Sequence, residues 1–539
     1  MYSGLLGVTF HLGFARVVFL ERFMYQLIGM VCLIIAGLAY LYASAGLPVV
    51  DILTRLSIVA GSFNAGLFSS MTIYRLFFHP LNRFPGPLDL KISRIFSSLR
   101  AAKKLRYHRD VDEMHEKYGD FVRSGPRELS IRRRSAVATI YGPTSKCWKS
   151  SWYTQVSTDS KKSSVHMATD PADHKRRRKA WDMGMGFKAL NMYEPRVKNL
   201  VDLFVAQLSQ RNDGIDVPTW TMYLFFDVAG EAGFGQSFEC VSRGIEHPAI
   251  QALHSHMSML SILSHVPWLL NLIGAIPILA SGYKSFFDWC NSQLDSSQSK
   301  FDPEKSPQDV ASWLLRAVAA KDSSASPSRD SLIQDSRVII VAGSDTSAMT
   351  LAVVLYYMAK FPSVFKKLQA RVDAAVPTPE AWTYEKVKSI SYIDNIIEES
   401  LRLKPALLIG GTRTTPPQGI QVDEEHIPGN TNVFVPTQII HTDPRYWKQA
   451  TEFVPERFGE RRAEMGTNEA PYIPFGLGPT ACPGKNLAMM ALRIAISRIA
   501  QSFDISFAPG ETGEEFDTEE LESFITKLPP LKLRFLPRA

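Results

Sequence analysis

The residue with the strongest chemistry in this 539-residue chain is Cys482, in Pro474-Phe475-Gly476-Leu477-Gly478-Pro479-Thr480-Ala481-Cys482-Pro483-Gly484. Glycines and prolines ahead of the cysteine dictate a tight, non-helical loop, and an apolar helix follows from Leu487 through Ile496. A cysteine held just before a helix N-terminus meets backbone N–H groups and the positive end of the helix dipole, which favours thiolate. Thiolate is a strong iron ligand and binds haem axially, pushing electron density towards O–O cleavage. Cys32, Cys147, Cys240 and Cys290 stand in no comparable loop and read as buried small hydrophobes. An odd number of widely spaced cysteines without a CxxC pair excludes a disulfide framework and a zinc ribbon, and places the thiols in a reducing compartment.

A second chemical signal lies inside a long helix. Ser331-Leu332-Ile333-Gln334 has the form of a capping box and Phe361-Pro362 marks the stop. About 30 residues at 1.5 Å each span roughly 45 Å, enough to cross a domain. Most of this helix is apolar, so it is expected in the core, yet Ala342-Gly343-Ser344-Asp345-Thr346-Ser347 puts small and polar groups at its centre. The Thr346 hydroxyl competes for the carbonyl of Ala342 four residues back, and a local opening there would admit water or a diatomic ligand. The remainder of residues 88–539 reads as mostly helical with short strand-like pieces. Polar stretches at Ser292 to Lys305 and Lys321 to Arg329 read as surface loops.

The elements ahead of this body are of another kind. Phe23 to Val50 carries no formal charge, and a weaker uncharged window runs from Leu56 to Tyr74. The expected organisation is a flank at 1–22 on the cytoplasmic side, an anchor at 23–74 with spans at about 24–44 and 55–74, a Pro-rich hinge at 75–87, and a catalytic body at 88–539. Gly61-x-x-x-Ala65 is the expected close contact between the spans. Arg16 and Arg22 before the first span, and Arg75 and Arg83 after the second, put both basic flanks on the cytoplasmic side. A membrane-surface or buried helix is the alternative for the second window. An apolar run at Met257 to Ala280 is a further candidate for membrane contact.

Composition narrows the class. The chain is 45% hydrophobic and 21% charged, ordinary for a globular protein, which excludes collagen, coiled coil and wholesale disorder. A net charge of +7 over this length is too dilute for a nucleic-acid binder.

Phe475-x-x-Gly478-x-Thr480-x-Cys482-x-Gly484 resembles the haem-binding loop of the cytochrome P-450 superfamily. Glu399-Ser400-Leu401-Arg402 resembles its E-x-x-R helix, and Pro455-Glu456-Arg457-Phe458 the segment whose arginine completes that charge network. Asp345-Thr346 falls where the family's central helix carries an acid–alcohol pair. The resemblance covers residues 75–539. It implies a mainly α fold with a small β region, haem b (iron protoporphyrin IX) on Cys482, and propionate contacts from His174, Arg178 and Arg413. It also implies an NADPH-cytochrome P-450 reductase as a separate electron donor, O2 as co-substrate, and an endoplasmic reticulum membrane location with the body facing the cytoplasm. Thr480 departs from the pattern, because the family usually has a basic residue there for a haem propionate.

The implied reaction is monooxygenation of a lipophilic small molecule, with walls at Ala406 to Ile409, Val341 and Phe524-Ile525 by family analogy. The double-window leader, His79 to Pro87 and Trp181-Asp182 resemble fungal membrane-bound members, which points to secondary metabolism of terpenoid, alkaloid or polyketide type. A thiolate-haem isomerase or dehydratase, or a non-enzymatic haem-binding membrane protein, are the alternatives. Neither needs the acid–alcohol pair.

Overall fold

The computed structural model describes residues 2–16, 23–154, 157, 159–211, 213–274 and 281–538, with the side chains of 281–283 set aside. Arg22, the end of the expected flank, and 275–280 of the Met257 to Ala280 run lie outside the described residues.

The leader forms α1 (Tyr2–Phe10, continued by a wider turn at His11–Ala15), α2 (Met24–Ser44) and α3 (Val49–Ile73). No residue of α2 or α3 is buried, and both are long and apolar enough to cross a membrane. The second helix starts at Val49, ahead of the expected 55. The close contact also lies elsewhere: a Cβ on Gly61 meets nothing within 4 Å, whereas one on Gly66 would fall on the Gly4 carbonyl and one on Gly7 on the Phe63 carbonyl. The expected flank thus holds a helix packed lengthwise on α3, with His11 Nδ1 2.8 Å from Ser70 Oγ. Small residues let the two backbones touch. Cys32 is exposed on α2, so its reading as a buried hydrophobe fails. It lies on α2, none of whose residues is buried.

The 75–87 segment docks on the body. Leu81 and Phe84 are buried, and Arg123 N donates to Pro85 O at 2.7 Å.

In the body, β1 (Phe121–Gly125), β2 (Glu128–Ile131), β3 (Trp148–Lys149), β4 (Arg413–Thr414) and β5 (Asn432–Phe434) form one sheet in the order β1-β2-β5-β4-β3. The β2–β5 pair is parallel and the others antiparallel. The helices that position the site are α4 (Pro171–Gly184), α5 (Phe187–Ser209), α6 (Val217–Phe234), α7 (Pro248–Leu263), α8 (Pro267–Gly274), α9 (Ser281–Lys300), α10 (Arg329–Lys360), α11 (Ser391–Leu403) and α12 (Lys485–Ser502). A hairpin of β6 (Leu521–Ser523) and β7 (Ile525–Lys527) leans on α7.

The long helix α10 lies in the core, against α6, α9 and α11. Its length and apolarity would suit a membrane, but packing inside the body consumes its apolar surface. Its cap is Ser328, whose hydroxyl accepts from Ser331 N at 3.1 Å; the Ser331–Gln334 box does not form. Ser331 Oγ is buried and donates instead to Ser163 O at 2.8 Å. The polar run at 292–300 is the end of α9 and not a loop, because its apolar residues Phe286, Cys290 and Leu294 seat the helix on the core. The loop expected at 321–329 is present as far as the Ser328 cap.

Candidate functional site

The loop before α12 is closed by Cys482 N donating to Phe475 O at 2.8 Å and Ala481 N to Gly478 O at 3.1 Å. Gly478 has φ +63°, and a Cβ there would crowd the carbonyls of Tyr141 and Gly142, so only glycine suits both the turn and the approach. The Phe475 ring is half-buried beneath Lys485, whose Nζ lies 5.4 Å from the ring centroid. Gly484 caps α12, and a Cβ on it would lie 3.9 Å from Cys482 Sγ. Cys482 is exposed, whereas Cys147, Cys240 and Cys290 are buried.

The open space at the Cys482 thiol is ringed by protein. Burial pushes its pKa up, against the Gly484 N–H, Arg178 and Lys485, which pull it down. The N–H groups at the helix terminus act towards thiolate as expected, and desolvation opposes them.

On α10 the Thr346 hydroxyl donates to Ala342 O at 2.8 Å, as its spacing dictates. The helix nevertheless continues unbroken from Arg329 to Lys360. Gly343 serves close packing: a Cβ there would meet Ala229 of α6 at 3.4 Å. Ala342 is exposed within this core helix, and Val341, Asp345 and Thr346 are half-buried, so this face borders open space. Asp345 Oδ1 lies 3.2 Å from Nε2 of His254 on α7.

The expected propionate contacts gather with residues that no motif had marked. His174 and Arg178 stand one turn apart on α4. Arg178 Nη1 donates to Ala481 O at 2.7 Å, bracing the cysteine loop. Arg413 Nη2 donates to Thr480 Oγ1 at 2.8 Å and its Nη1 to Tyr153 OH at 2.9 Å. Lys149 on β3 is buried, donating to His166 O at 2.6 Å. Burial, then Lys149, Arg178, Arg177 and Arg413, pull the His174 pKa down to about 3. Burial, then Arg413, Arg177 and Arg178, hold Lys149 well below the ordinary lysine range. The charges acting most strongly on both are cations, and His174 Nδ1 is buried with no hydrogen-bond partner among the described residues. Arg178 is paired with Asp182 at 2.7 Å and Arg177 with Asp335 at 3.2 Å, whereas Arg413 and Lys149 have no ion-pair partner among the described residues, which favours an anion beside them.

Haem fits these residues. A thiol on open space, buried Arg413 and Lys149 with no ion-pair partner among the described residues, and an exposed small residue on a core helix supply an iron ligand, propionate partners and room for a flat ring.

Behind the loop, Glu399 and Arg402 on α11 and Arg457 are fully buried. Arg402 Nε and Nη2 donate to Glu399 at 2.7 and 2.9 Å, and Arg457 Nε at 2.9 Å. The remaining guanidinium groups donate to backbone carbonyls, including His441 O and Lys448 O. One carboxylate satisfies two cations, so removing it costs about 3–5 kcal/mol.

A cavity of about 90 Å³ is lined by Leu407, Ile409 and Phe524, as the apolar walls implied. Ala406, Leu408 and Ile525 are buried and do not line it, and nor does Val341, half-buried on α10. Trp152 stacks on Phe524 at 5.1 Å, and Phe524 holds φ +67° at the tip of the β6–β7 hairpin. Polar groups that sequence reading missed, among them Arg94, Glu128 and His265, share the lining. They converge from elements distant in sequence.

Comparison with known proteins gives a consistent picture. The family described as Cytochrome P450 matches residues 85–535. A cytochrome P450 monooxygenase, orf5, of Eupenicillium brefeldianum is 36% identical over 474 residues, covering 88% of this chain and 94% of the relative. Tryprostatin B 6-hydroxylase of Aspergillus fumigatus is 30% identical over 95% of this chain and 91% of its own length. The crystal structure of a cytochrome P450 (CYP102L1) shares the fold with a TM-score of 0.67 at 22% identity, covering 80% of this chain and 94% of that one.

Proposed function

Because the chain belongs to the cytochrome P450 family and is a haem-thiolate monooxygenase, we propose that it oxidises a lipophilic small molecule of fungal secondary metabolism, of terpenoid, alkaloid or polyketide type. The observation that carries the site assignment is the exposed Cys482 thiol beside buried Arg413 and Lys149, which have no ion-pair partner among the described residues. Cys482 binds the haem iron, while His174, Arg178 and Arg413, joined by Lys149, hold the propionates. Phe475, Gly478 and Gly484 shape the loop, and Glu399, Arg402 and Arg457 fix the scaffold behind it.

Haem, when bound, supplies dioxygen activation and oxygen insertion. The Thr346 hydroxyl and Asp345 carboxylate hold water at the open face of α10 and pass protons from it towards dioxygen. This pair is surplus to an isomerase or a haem carrier. Trp152, Phe524, Leu407 and Ile409 shelter the substrate from water.

Electrons come from NADPH through a separate reductase, and the exposed Lys175, Lys179 and Lys485 on the Cys482 side suit an acidic partner. The body, residues 88–539, faces the cytoplasm from the endoplasmic reticulum membrane. Arg16 ahead of α2 and Arg75 and Arg83 after α3 support that orientation.

The test is expression with a reductase and candidate scaffolds, with product analysis. Cys482→Ala is expected to lose the thiolate-type ferrous–CO absorbance and all product, and Cys147→Ala and Cys290→Ala to keep both. Retention of that absorbance in Cys482→Ala refutes the ligand assignment.

A further inference from the structure

We propose that His254 is a positioning residue for the acid of the central helix: paired with Asp345, it ties α7 to α10 and holds the carboxylate beside Thr346. The inference rests on the reading of Asp345 and Thr346 as the proton-delivery pair. His254 Nε2 and Asp345 Oδ1 are 3.2 Å apart, with 37% and 12% of their side chains exposed. Among the described residues no other hydrogen bond to the Asp345 carboxylate is present, so the imidazole alone fixes its orientation. The same helix reaches the cavity through Ser261, with Ser264 and His265 just past its end. Whatever moves α7 on filling the cavity thus also moves the partner of the acid.

The pair is sensitive to pH. Burial of His254 works against protonation, but the hydrogen bond and charge of Asp345 outweigh it, with Lys527 on β7 opposing and Glu246 ahead of α7 assisting. The net pKa lies above the ordinary 6.5. A histidine raised in the folded state contributes stability that is fully present below its unfolded pKa and lost as pH rises through the folded one.

The experiment uses the full-length holoprotein in vesicles with NADPH-cytochrome P-450 reductase, without substrate, between about pH 6 and pH 9. Peroxide released per NADPH, the solvent deuterium isotope effect on NADPH oxidation, and Tm are read for wild type, His254→Phe, His254→Gln and Asp345→Asn. His254→Phe is expected to slow the proton-limited step about fivefold, raising the isotope effect and the peroxide share; this is the factor that about 1 kcal/mol commands. His254→Gln keeps a hydrogen bond but cannot titrate, so it is expected to flatten the pH profile. The Tm advantage of wild type over His254→Gln should shrink as pH rises. If both His254 variants match wild type in all three readouts while Asp345→Asn does not, His254 holds nothing and the inference falls alone. If Asp345→Asn also leaves the isotope effect and peroxide share unmoved, the proton-delivery reading falls with it.

Discussion

Thr480 takes its meaning from one neighbour. By type it is a missing cation; in the structure its hydroxyl accepts from Arg413 Nη2 at 2.8 Å and steadies the guanidinium that supplies the charge. Thr480→Arg is therefore expected to speed haem loss, since a second guanidinium would sit against Arg413 and displace it. Thr480→Val is expected to speed it about fivefold through loss of one hydrogen bond of about 1 kcal/mol. Transfer of haem to a scavenging apoprotein measures both, and slower loss in Thr480→Arg would show a propionate left short of charge. The proposed role of Thr346 predicts a different phenotype. Thr346→Ala should keep haem content and the ferrous–CO absorbance, while product per NADPH falls and peroxide rises. Acid assistance of this kind is worth on the order of 10²–10⁴-fold, so unchanged product per NADPH would remove Thr346 from the mechanism.

Among the elements, α1 and α3 show how a backbone contact depends on which glycine meets a partner. Gly66→Val would drive a side chain into the Gly4 carbonyl, whereas Gly61→Val projects into empty surroundings. Separation of α1 from α3 is expected only in the first, and disulfide trapping of Cys-substituted His11 and Ser70, whose side chains meet at 2.8 Å, would report it. Equal trapping in both variants would mean that the contact is not held by close packing. On α10 the same logic acts in the core. Gly343, which would weaken an isolated helix, admits α6, whose packing replaces the lost stability, while Ala342 leaves open space at no cost to the helix.

Across the whole molecule, body and anchor meet at more than the chain between them. Tyr25 OH, at the start of α2, donates to Asn271 O at 3.3 Å and to Asn271 Oδ1, on α8, where Trp268, Leu269, Leu272 and Ile273 remain half-exposed. Deleting residues 1–74 is expected to weaken vesicle binding in sedimentation without loss of haem. The remainder should detach when Trp268 and Leu272 are changed to Glu. Complete release by the deletion alone would remove α8 as a contact. The amino-acid sequence by itself determined the two long apolar helices of the leader, the core helix, the cysteine loop and the Glu399–Arg402 pair, because each depends on short-range spacing: 20 apolar residues, a helical period, glycines at a turn, i and i+3 on one face. It also contained an uncharged stretch, Tyr2 to Ala15, in which Gly4 and Gly7, three apart, stand on the face that meets α3. Only tertiary structure decided that Lys149 joins the cation cluster, that Thr480 serves Arg413, that Gly66 rather than Gly61 makes the contact, and that His254 faces Asp345 across 91 residues of chain. Those partners are chosen by how helices and strands pack, and the energy of a buried charge depends on what surrounds it rather than on what adjoins it in sequence.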